Sequence, residues 1–182
     1  IIDDAIAVKP TLPLYKDITI AIDWNIYSQN IVGYSQAQTG TSYTQAFNPA
    51  TGDALDGKFI SATNEEVERG CQLATEAFTL YSSTDGKSRA IFLDEIAAEI
   101  LNIEYDLIDR CCLETGLPEA RIIGERGRTV GQLKMFADLL REGSWLEASI
   151  DTAQPDRKPI PKPDIRRMLV PMGPVVVFAA SN

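Results

Sequence analysis

The sequence predicts an α/β chain laid out in blocks: a small β meander, a helical bundle, a β excursion, and then the first strand of an open sheet. Three observations carry this. Short alternating stretches separated by turn-forming residues fill positions 29–62. Apolar residues at helical spacing dominate positions 63–142. The run Val175-Val176-Val177-Phe178-Ala179-Ala180 is apolar throughout and β-branched at its start, which suits a strand buried on both faces of a parallel sheet.

Residues 1–28 hold an extended linker, Lys9-Pro10-Thr11-Leu12-Pro13, and a weakly alternating stretch, Asp17-Ile18-Thr19-Ile20-Ala21-Ile22, that reads as a strand. They carry no recognisable chemistry. Ile31-Val32-Gly33-Tyr34 and Ser42-Tyr43-Thr44-Gln45-Ala46-Phe47 flank Gln38-Thr39-Gly40, which reads as the hairpin turn between them. Asn48-Pro49-Ala50-Thr51-Gly52-Asp53 is dense in turn formers, and a short strand follows around Lys58-Phe59-Ile60.

Thr63-Asn64-Glu65-Glu66 has the capping-box pattern that opens a helix. Val67, Cys71, Ala74, Ala77, Phe78 and Tyr81 recur on its apolar face, and Asp85-Gly86 breaks it. A second helix covers about 88–100, with Phe92, Ile96 and Ile100 on one stripe. A third covers about 104–114, with Leu107, Ile108 and Cys111 inward, and Gly116 stops it. Pro118 opens the fourth as its first helical residue, and Gly143 ends it. Within that helix Gly124, Gly127 and Gly131 share a face. Each glycine costs up to about 1 kcal/mol against alanine in a helix interior, so this face predicts a second backbone packed closely against it. Trp145, Leu146, Ala148 and Ile150 make residues 144–150 a strand. The Pro-rich stretch 151–164 is too long for a tight hairpin, and residues 165–170 form the returning strand.

A chain of 182 residues, 45% hydrophobic and 24% charged, reads as one globular domain or a domain plus an appendage, and as soluble and cytoplasmic. A net charge of -9 and a pI near 4.5 argue against nucleic acid or an anionic membrane as partner, since either needs a basic face. The absence of histidine excludes His-based general base catalysis, Ser-His-Asp triads and most zinc sites, and no metal is expected. The given residues hold no convincing targeting segment, and the longest apolar run, near 169–180, is too short to span a bilayer.

Most candidate constellations reduce to structure. Cys71, Cys111 and Cys112 lack a cation or helix N-terminus to lower a thiol pKa, so burial is expected for all three. Glu65-Glu66 and Asp94-Glu95 read as solvated helix faces, not acid/base pairs. Arg121, Glu125, Arg126 and Arg128 read as ion pairs in preference to a phosphate clamp. Neither G-x-G-x-x-G after a strand nor a Walker A pattern occurs. Asn182 differs. It stands at the carboxyl end of the apolar strand, where open α/β sheets bind ligands, and its amide can donate to a developing oxyanion. By spacing alone a turn residue is the simpler reading.

The stretches 47–53, 65–78 and 169–178, in this order and spacing, resemble the aldehyde dehydrogenase superfamily. Leu113-Glu114-Thr115-Gly116-Leu117-Pro118, Gly124-Glu125-Arg126-Gly127-Arg128-Thr129, Pro161-Lys162-Pro163-Asp164-Ile165-Arg166-Arg167 and the ending Phe178-Ala179-Ala180-Ser181-Asn182 resemble one branch. That branch is the α-ketoglutarate semialdehyde (2,5-dioxopentanoate) dehydrogenases, close to the NADP-dependent fatty-aldehyde dehydrogenases. The resemblance covers about 29–182.

It implies that a Cys thiolate attacks an aldehyde, that hydride passes to NADP or NAD, and that water activated by a Glu hydrolyses the thioester. Asn182 matches the oxyanion donor, and Phe178, Ala179, Ala180 and Ser181 match the segment lining the cofactor. The nucleophile and the base lie downstream of this Asn in the family, so this chain by itself is expected to be inactive. The implied organisation is an unassigned lead over 1–28, β meander and helices of the cofactor-binding domain over 29–143, oligomerisation strands over 144–170, and the start of a Rossmann-like sheet over 171–182. The implied partners are a small-molecule aldehyde and further copies of the chain, as a homodimer or homotetramer. A non-catalytic interaction or oligomerisation fragment is the alternative.

Overall fold

The computed structural model describes residues 29–37 and 39–179. The alternating stretch 17–22 and Gln38 lie outside them. Strands β1 (Asn30–Val32) and β2 (Ser35–Ala37) pair antiparallel, Ile31 opposite Gln36. The chain therefore reverses at Gly33-Tyr34, not in the following segment as the sequence predicts. Gly33 supplies the reason: its φ of 64° lies in the left-handed region, and a Cβ there would come within 2.9 Å of Leu73 Cδ1.

Strand β3 (Tyr43–Phe47) pairs instead with β4 (Ala54–Ile60), which is longer than the predicted strand around 58–60. The turn between them is as expected from 48–53. Asn48 N–H donates to Asp53 O at 2.9 Å, Gly52 N–H donates to Asn48 O at 2.7 Å, and Asn48 Oδ1 accepts from Ala50 N–H.

Helix α1 (Asn64–Tyr81) begins with the predicted capping box, both arms formed. Its apolar face is another matter. Val67 and Tyr81 are exposed, and so is Cys71, against the expected burial. Among the described residues, strand β1 and the Thr39 segment after the hairpin come up against this helix.

Helix α2 (Gly86–Asn102) starts two residues earlier than predicted. Asp85, expected as a breaker, is its N-cap, and its carboxylate accepts from Ser88 N–H at 2.6 Å. Helix α3 (Glu104–Thr115) ends at Gly116, φ 67°. Helix α4 (Glu119–Glu142) takes Pro118 as its cap and not its first residue, and closes at Gly143, φ 85°.

The core lies where α2 and α3 pack on α4. It consists of Ala90 and Ala97 on α2, Ile108 on α3, and Ile122, Val130 and Ala137 on α4. Alanines, not the expected Phe92 stripe, face α4, and Phe92 is 54% exposed. Small side chains allow the two helix axes to approach, while Ile96 and Ile100 of the expected stripe are half-buried beside them. The glycine face of α4 is open: a Cβ added at Gly124, Gly127 or Gly131 meets nothing within 4 Å. The closely packed backbone that the sequence predicts there is not found among the described residues.

Residues 144–146 form a 3-10 turn, with Glu147 at φ 47°, so the strand predicted over 144–150 shrinks to β5 (Ser149–Asp151). It pairs with β6 (Ile165–Arg167), itself shorter than the predicted 165–170. The predicted sheet strand over 175–180 is not formed within the described part, 175–179. A strand needs a neighbour to take its N–H and C=O groups, and no described strand lies alongside. No helix among the described residues is long and apolar enough to cross a membrane.

Candidate functional site

The site expected from the sequence lies at the far end of the chain. Phe178 is 89% exposed and Ala179 is exposed, both outside any helix or strand. Ala180, Ser181 and Asn182 lie outside the described residues. The structure brings Phe178 and Ala179 together with no acid, base or thiol.

The polar cluster that the fold does assemble is centred on Glu66. Its side chain is 8% exposed, the only buried charged residue among those described. Oε1 accepts from the Thr39 hydroxyl at 2.7 Å and from Thr39 N–H at 3.0 Å. Oε2 accepts from Thr63 N–H at 3.0 Å and from Asn30 Nδ2 at 3.4 Å. These hydrogen bonds, Thr39's first, hold the Glu66 carboxyl below the ordinary carboxylate range. The solvated face predicted for Glu65-Glu66 is thus overturned for Glu66. The capping box identifies its bond to Thr63, whereas Thr39 and Asn30 lie too far away in sequence for a local pattern to reveal them.

Beside this carboxylate an open groove of about 1110 Å³ runs between the β1–β2 hairpin and α1, with Val32, Leu73, Ala77 and Leu80 on its walls and Glu65 and Arg69 among its polar residues. It contains no thiol, so nothing in it can attack a carbonyl as a Cys thiolate does.

Several other charged groups are occupied structurally. Glu125 accepts from Arg121 at 2.8 Å and Arg128 at 2.7 Å, and the Arg128 hydrogen bond first, then its charge, lowers the Glu125 carboxyl. Ion pairs are what the sequence predicts there. Arg126 donates to Glu104 O at 2.9 Å, tying α4 to the start of α3. Asp94, expected on a solvated face, instead joins α2 to α4 through Arg141, which also holds Asp138. Arg89 stacks over the Trp145 ring at 5.5 Å.

Cys111 and Cys112 are half-buried. Burial first, and Glu114 and Cys112 after it, push the Cys111 thiol up, the wrong direction for a nucleophile. No group of three or more His, Cys, Asp or Glu able to hold a metal ion occurs among the described residues.

Comparison with known proteins bears on the segment that the geometry leaves open. The sequence profile described as the aldehyde dehydrogenase family matches residues 34–182. The chain is 49% identical over 150 residues to the alpha-ketoglutaric semialdehyde dehydrogenase 2 of Azospirillum brasilense, covering 81% of this chain and 29% of that protein. It is 49% identical over 124 residues to the alpha-ketoglutaric semialdehyde dehydrogenase of Acinetobacter baylyi, covering 68% of this chain and 24% of that protein. The chain thus spans less than a third of the length of these relatives. In structure it resembles an NAD-dependent benzaldehyde dehydrogenase from Corynebacterium glutamicum, with a TM-score of 0.63 at 14% identity over 74% of this chain and 28% of that one, a likeness of fold.

Proposed function

This chain belongs to the aldehyde dehydrogenase family, and we propose that it supplies the N-terminal part of an enzyme oxidising an aldehyde to a carboxylate with NADP or NAD. α-Ketoglutarate semialdehyde is the proposed substrate. The observation that carries this is the 49% identity over 150 residues to a protein named for that activity.

In this reading residues 29–143 are the β meander and helical part of the cofactor-binding domain, β5 and β6 belong to the oligomerisation strands of 144–170, and 171–182 begins the Rossmann-like sheet. The unpaired Val175, Val176, Val177 and Phe178, all strongly exposed here, are then a sheet strand whose neighbours come from the remainder of the enzyme. That strand delivers Asn182 to its carboxyl end, where the amide donates to the oxyanion formed when a thiolate adds to the aldehyde. Phe178, Ala179, Ala180 and Ser181 line the cofactor. NADP or NAD, when bound, would supply the hydride acceptor, and water losing its proton to a carboxylate base would then hydrolyse the thioester. The thiol and the base come from the remainder of the enzyme: Cys111 has a raised pKa, and neither Cys71 nor Cys112 occupies the nucleophile's place in the family pattern. The assembly is proposed as a cytoplasmic homodimer or homotetramer.

The test joins this chain to the remainder of the Azospirillum brasilense relative and follows reduction of NADP or NAD with α-ketoglutarate semialdehyde. Turnover by the joined protein and none by this chain alone is expected. A folded but inert joined protein would count against the proposal, and so would turnover by this chain alone.

A further inference from the structure

We draw no further inference here: the strongest candidate, the open groove of about 1110 Å³ between the β1–β2 hairpin and α1, is an unpartnered face, and nothing in the structure shows what covers it.

Discussion

Thr39 donates both its hydroxyl and its backbone N–H to Oε1 of Glu66, 27 residues further along the chain. The pair fastens the segment after the first hairpin to the first turn of α1. The same carboxylate caps that helix through Thr63.

Two substitutions separate these tasks. Thr63→Ala removes the cap hydroxyl and should cost about 1 kcal/mol, the usual value of an N-cap. Glu66→Gln should also destabilise, because an amide cannot accept at both positions from all these donors. The pH dependence follows from the lowered Glu66 carboxyl. With the folded pKa below the unfolded one, the unfolded chain binds the extra proton first. The contribution is therefore present above the unfolded carboxylate pKa and lost as pH falls through the folded one. Thermal melts of wild type and Glu66→Gln should differ at neutral pH and converge on acidification below the ordinary carboxylate range. A difference that stays constant with pH would contradict this account.

Gly86 and Gly124 make a second comparison. Helix propensity favours alanine by up to about 1 kcal/mol at the interior position Gly124, and less at Gly86, the first residue of α2. At Gly86 a Cβ would stand 2.6 Å from Leu140 O, a backbone atom of α4 that cannot swing away. Gly86→Ala should lower the melting temperature, since overpacking typically costs about 1–3 kcal/mol. At Gly124 nothing lies within 4 Å, and Gly124→Ala should raise it in this chain. Equal effects of the two substitutions would mean that the α2–α4 approach is not as tight as described.

Residues 168–179 carry no charge, and Val170, Val175, Val177 and Phe178 are each at least 70% exposed. Apolar β-prone backbone with unpaired donors and acceptors is a template for pairing between chains. Sedimentation velocity should show this chain associating as its concentration rises. Val176→Lys should suppress that association, and unchanged sedimentation of the variant would remove residues 175–178 from the explanation.

Asn182→Ala in the joined protein addresses the site. Loss of one oxyanion donor typically lowers kcat by about 10²–10³-fold. A fall in kcat of that order with little change in aldehyde KM is expected, whereas an effect confined to KM would assign Asn182 to ground-state binding.

How much of this was legible in the sequence varies with the range of the interactions involved. The capping box at Thr63 and Glu66, the turn at 48–53 and the glycine stops at Gly116 and Gly143 all appear as predicted. Each is closed by hydrogen bonds between residues a few positions apart. The sequence pattern shows glycine at both 33 and 40; both are close to neighbouring atoms, but of the two Gly33 alone takes the left-handed backbone that the first reversal needs. On α2 hydrophobicity favours Phe92, which is exposed, whereas close helix packing buries Ala90 and Ala97, with Ile96 and Ile100 half-buried.

By itself the sequence determined the order of the four helices, the capping box and the glycine stops, the absence of histidine chemistry, and the identity of Asn182 as a potential amide donor. Tertiary structure alone decided that β1 pairs with β2 and β3 with β4, which helix faces meet, and that Glu66 is a buried latch and not a solvated carboxylate. Local elements are governed by dihedral preferences and hydrogen bonds within a turn or two of helix. Pairing and burial depend on groups brought from distant positions, and a linear pattern does not record which of them meet.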